Sequence, residues 1–141
     1  METKMIDLYS FQTSAFAFVI AFVAAGLFTI LFKLIYQWAT PYNERTLIRE
    51  GNVAAAITLG AALIGYVLPL SSALAHTFTL AEFAAWALLA GVIQIVIFTV
   101  VRRFVMPDFS DRIVRGELAA AIYMASISIV VGVLNAACMT A

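Results

Sequence analysis

Four stretches with no Asp, Glu, Lys or Arg divide this sequence: residues 8–32, 53–75, 83–101 and 118–141. An α-helix needs roughly 20 apolar residues to cross the hydrocarbon of a bilayer, and a helix meets all its backbone hydrogen bonds internally. Each stretch therefore reads as a membrane-spanning helix, with spans expected at about 11–36, 53–75, 81–101 and 117–139. Composition agrees: 65% of the 141 residues are hydrophobic and 11% charged, against about 25% charged in a soluble domain. The mean hydropathy is +1.04. The expected fold class is an all-α integral membrane four-helix protein forming one membrane domain over residues 1–141.

The ends of the runs carry the signals of a membrane surface. Lys33 closes the first span, with Tyr36 and Trp38 placed for the headgroup layer. The run is longer than the ~7–15-residue core of a signal peptide and no basic segment precedes it, so it reads as a retained span. Thr40-Pro41 is a plausible helix start, predicting a short interfacial helix over about residues 43–50. Pro69 followed by Ser71-Ser72 marks the far end of the second span. In the last connector, which holds Pro107, the capping candidates are Asp108, Ser110 and Asp111. Lys33, Arg45, Arg49, Arg102, Arg103, Arg112 and Arg115 flank the two long connectors, and only Lys4 lies on the other side. Seven against one is a positive-inside pattern, predicting cytoplasmic connectors and an N-out, C-out topology with both termini periplasmic.

The segment Gly51-Asn52-Val53-Ala54-Ala55-Ala56-Ile57 returns 65 positions later as Gly116-Glu117-Leu118-Ala119-Ala120-Ala121-Ile122. At the same offset Phe18 matches Phe83, Ala25-Gly26 matches Ala90-Gly91, Ile30 matches Ile95, and Ile48 matches Ile113. This predicts two tandem parallel two-helix repeats, one over about 8–75 and one over about 80–141.

Small residues recur at helical spacing as Ala54, Thr58, Ala61 and Gly65, and again as Ala121, Ala125, Ser128 and Gly132. In lipid such stripes mark close helix packing, with a pore lining as the rival. Gln94 and Asn135 are polar groups within spans; interhelical hydrogen bonds worth about 0.6–2 kcal/mol are the plain reading, a substrate or ion lining the other. Asn52 and Glu117 sit at the mouths of the second and fourth spans, as caps or, for Glu117, as a titrating member of a cation or proton site. His76 and Glu82 read as solvated outer residues, with a pH-sensing pair as the alternative. One His and one Cys, Cys138, supply neither a disulfide nor a zinc site, so no metal or cofactor is expected. Without GxSxG, Walker or dinucleotide motifs an enzyme is not expected, and without a basic stripe neither is a nucleic-acid partner.

Thr40-Pro41-Tyr42-Asn43-Glu44, Ile48, Gly51-Asn52 with its Ala-Ala-Ala-Ile run, Leu68-Pro69-Leu70 and the closing Val133-Leu134-Asn135-Ala136-Ala137-Cys138-Met139 resemble the YjfL-like family over essentially the whole chain. The resemblance implies a small bacterial inner-membrane protein with a domain of unknown function built from a duplicated two-helix unit. It also implies PspA-like membrane-stress partners. The second copy departs from the pattern, with Glu117 for Asn52 and no Thr-Pro-x-x-Glu.

The expected function is a non-enzymatic membrane module that forms homo-oligomers in the lipid bilayer. It docks a cytoplasmic partner through Thr40, Pro41, Glu44, Arg45, Arg49, Arg112 and Arg115. An oligomeric channel or small transporter for ions or small solutes is the alternative.

Overall fold

In the computed structural model, which describes residues 2–141, each uncharged run becomes one helix. The order is α1 (Glu2–Ala39), α2 (Glu44–Arg49), α3 (Val53–His76), α4 (Leu80–Val100), a π-helical turn (Val101–Val105), α5 (Phe109–Val114) and α6 (Leu118–Cys138). The four long helices are long and apolar enough to cross a membrane. α2 and α5 are single short turns at the connector end, and α5 begins and ends 65 positions after α2.

Caps fix where the helices begin. The side-chain oxygens of Asn43, Asn52 and Thr79 accept from the amides of Thr46, Ala55 and Glu82, meeting donors that the first turn leaves unpaired. Asn43, rather than Thr40-Pro41, therefore starts α2. The Thr40 hydroxyl instead donates to the Gln37 carbonyl at the end of α1, 2.9 Å away. Both short helices stop the same way. Gly51 and Gly116 adopt φ of +89° and +77°, and their amides donate to Ile48 and Ile113. The next amides, Asn52 and Glu117, reach back to Leu47 and Arg112. This is a Schellman closure, and its left-handed position favours glycine.

α3 and α6 form the most extensive helix pair. Ala54, Thr58, Ala61 and Gly65 are buried on α3, and Ala121, Ala125 and Gly132 on α6, with Ser128 half-buried. A Cβ at Gly132 would lie 2.7 Å from Gly65 Cα, and one at Gly65 would lie 2.6 Å from Gln94 Nε2. Only glycine lets these backbones approach so closely. α3 does not end near Pro69 but continues to His76. Pro69 lacks the N–H that would bond the Gly65 carbonyl, and that carbonyl faces Gly132 instead. A membrane helix tolerates such an interruption when a neighbouring helix covers it.

α1 is different. No α1 residue before Phe32 with a described side chain is buried, and Phe22 is the first to share a groove with α3, beside Leu70 and Leu74. At 1.5 Å per residue its 38 residues run roughly 57 Å, against a hydrocarbon core of about 30 Å. α1 must tilt or carry its first turns beyond the hydrocarbon.

Toward the connectors an aromatic column joins α1 to the rest. Phe28 meets Phe83 edge-on at 5.6 Å and Phe32 stacks on Tyr66 at 4.3 Å. Tyr36 contacts Phe98 at 4.8 Å, and Phe98 meets Phe109 edge-on at 5.9 Å. Tyr36, 1% exposed, is thus a core residue and not a headgroup anchor, whereas Trp38 is 87% exposed. The column needs Tyr36 inside because it bridges α1 to α4.

Candidate functional site

The aromatic column ends at a carboxyl group. Glu44 is the first residue of α2, where a negative charge complements the helix dipole, yet its side chain turns inward and is 2% exposed. Tyr36 from α1 and Tyr42 from the connector face it. Neither phenol oxygen and neither carboxylate oxygen has a hydrogen-bond partner, and Arg102 Nε in the π turn is also buried and unpartnered. Removing the carboxylate from water raises its pKa to about 7, while the phenols of Tyr36 and Tyr42 and the Lys33 ammonium pull the other way. Burial, and then the Glu44 charge, hold Tyr42 above the usual phenol range. A cleft of about 550 Å³ lies against this cluster, walled by Lys33, Gln37, Tyr42, Asn43, Glu44 and Arg45, with Leu34, Ile48 and Leu59 behind them.

At the mouths of α3 and α6 the two matched residues do different work. Asn52 caps α3 through its oxygen, and its Nδ2 donates to the carbonyls of Ile113 at 2.8 Å and Val114 at 3.3 Å. One amide thereby ties the first connector to the last turn of α5. Glu117 makes no capping bond. It accepts from Arg112 through Nε at 2.9 Å and also through Nη2, with Arg115 3.8 Å away. The Arg112 hydrogen bonds hold its pKa below the usual carboxylate range. Glu117 thus sits in an arginine pair, whereas burial acts on Glu44.

Within the spans, Gln94 donates to the Ser128 carbonyl and Asn135 to that of Ala90, each at 3.4 Å, so both amides bridge α4 and α6. His76 is exposed, with Nδ1 2.8 Å from the Ser72 carbonyl, and Glu82 is exposed one turn into the next helix. Cys138 is exposed at the end of α6.

The expected docking set divides. Pro41, Arg45, Arg49 and Arg115 are exposed, and Arg112 is half-buried against Glu117. Thr40, 7% exposed, and Glu44 leave the set because they face inward, Thr40 to finish α1 and Glu44 to meet the tyrosines.

From sequence Glu44 belongs to the docking set, Tyr36 to the headgroup layer and Arg102 to the positive-inside pattern, so their meeting with Tyr42 was not foreseen. One signal was present: 65 positions after Glu44 stands Phe109, also the first residue of its short helix and 0% exposed. Extending the offset through the connectors marks residue 44 as an inward position.

The profile of a domain of unknown function, DUF350, matches residues 10–139. The UPF0719 inner membrane protein YjfL of Escherichia coli (strain K12) is 39% identical over 127 residues, spanning 90% of this chain and 96% of that protein. The protein of the same description from Escherichia coli O157:H7 matches to the same extent. No solved structure matches.

Proposed function

The chain belongs to the DUF350 family, and we propose that it is a non-enzymatic inner-membrane module that docks a cytoplasmic partner on its connector face. The observation that carries this reading is three uncommitted cations. Arg45, Arg49 and Arg103 are exposed at the connector end, and none makes an ion pair among the described residues. Free guanidinium groups on short rigid turns suit an acidic protein surface. A membrane-stress partner of the PspA-like class, implied by the resemblance, is the first candidate. The positive-inside pattern assigns this face to the cytoplasm, with both termini periplasmic. Two tandem units are supported by the 65-residue offset between α2 and α5 and by their matched closing turns. A homo-oligomer is supported by the N-terminal half of α1, where none of the described side chains is buried.

The channel alternative has less support. Gln94 and Asn135 spend their amides on backbone carbonyls, and the contact between Gly65 and Gly132 closes the seam between α3 and α6. Crosslinking in cells tests the docking reading: reversing charge at Arg45, Arg49 and Arg115 should abolish cytoplasmic crosslinks. An unchanged pattern rejects it. Cys138, the single cysteine, reports orientation, because a membrane-impermeant maleimide should label it only from the periplasmic side.

A further inference from the structure

We propose that Glu44, faced by the phenols of Tyr36 and Tyr42, is a proton-binding site at the connector end of the bundle, and that loss of the proton loosens α2. The position is one the fold treats as hydrophobic. Its counterpart 65 residues on, Phe109, is fully buried against Phe98 and within 6.4 Å of Tyr42. A neutral carboxylic acid suits such a place; a carboxylate there has lost its water and faces two neutral phenols, with no ion pair among the described residues to offset its charge.

The surroundings select the ligand. Both carboxylate oxygens are closed to solvent and lack hydrogen-bond partners, so a ligand must be small enough to reach them without opening the core. The charged and titratable groups around Glu44 are Lys33 and Tyr36 from α1, Tyr42 from the connector and Arg45 from α2 itself, and Arg102 of the π turn acts on Tyr42. α3 and α5 contribute only Leu59 and Phe109. Two cationic side chains and a single carboxylate make a poor metal-ion shell, which requires several oxygen ligands. A proton needs only one lone pair. It arrives from connector-side water along the cleft that Glu44, Tyr42 and Gln37 line, and the step balances as carboxylate plus proton giving carboxylic acid. The raised proton affinity that burial imposes on Glu44 agrees with this geometry.

Deprotonation leaves a charge that gains by reaching water, and Glu44 is the one buried residue of the six-residue α2. Charging Glu44 therefore weakens its seat and changes the presentation of Arg45 and Arg49. Only that last consequence rests on the docking reading; the proton site stands without it.

Infrared difference spectroscopy of the full chain in lipid vesicles reads the site directly. A protonated-carboxyl band should vanish as pH rises through neutrality and be missing in Glu44→Gln. Tyr36→Phe and Tyr42→Phe should each move the midpoint upward, because each phenol favours the charged form. A band that survives in Glu44→Gln, or one that titrates in the ordinary carboxylate range, overturns the site. A midpoint that tracks sodium concentration overturns the proton in favour of a metal ion. Should Glu44→Gln fail to fold, unmoved midpoints in both tyrosine variants suffice to reject the cluster. Amide exchange, corrected for intrinsic rate, should show α2 protection falling over the same pH range in the parent; flat protection overturns the loosening.

Discussion

The two connectors share a backbone and differ in chemistry. Each is a six-residue helix closed by a left-handed glycine whose neighbour's amide reaches back five residues. In the first, Asn43 caps the short helix, Glu44 faces inward and Asn52 braces across to α5. In the second, Asp108 makes no capping bond, Phe109 fills the core and Glu117 turns to arginines. The shared turn rests on one glycine per connector, so the positions around it are free to take different roles. The inward position is an aromatic ring in the second connector and a carboxyl group in the first.

Substitution at the two inward positions separates the connectors most strongly. Phe109→Ala should cost about 3–5 kcal/mol of stability at any pH, from the cavity it leaves. Glu44→Gln should instead stabilise at alkaline pH. The folded carboxyl, at about 7 against an ordinary 4.5, binds protons more tightly than the unfolded one. Stability conferred by the rest of the fold is therefore eroded as pH rises between those values, by up to about 3 kcal/mol above neutrality. The advantage of the glutamine variant should disappear in acid, as followed by unfolding in mild detergent; a pH-independent difference would mean that the carboxyl is not the cause. Asn52→Ala removes a cap and the cross-connector bonds, and should cost about 2 kcal/mol in the same measurement.

Gly51→Ala and Gly116→Ala test what the connectors share. A Cβ meets nothing within 4 Å at either site, leaving only the left-handed conformation to oppose it. Each should cost about 1–2 kcal/mol, and equal losses would support matched turns. Glu117→Gln should have the smallest effect, one that high salt removes, since its partners are at the surface.

The spans were legible because uncharged length alone forces a helix in hydrocarbon, and the glycine echo was legible because a left-handed turn restricts residue choice. Pro69 stands inside α3, where α6 covers the carbonyl it frees, although proline stops a helix in water. Thr40 misled because Asn43, three residues later, is the better cap. Glu44 was the deepest omission. A charge in a polar connector reads as available to a partner, and its burial beside Tyr36 and Tyr42 depends on α1 and the connector meeting. No local pattern encodes such a meeting.

The contact between Gly65 and Gly132 also sets a clock for biogenesis. Its two partners are 67 positions apart, and α6 leaves the ribosome after α3. At about 5–20 residues per second, α3 waits roughly 3–13 s in the bilayer for the helix that covers its glycine and the carbonyl freed by Pro69. Until then the nascent chain holds an interrupted helix with an open small-residue face, the stage at which an insertion chaperone or a second chain could capture it.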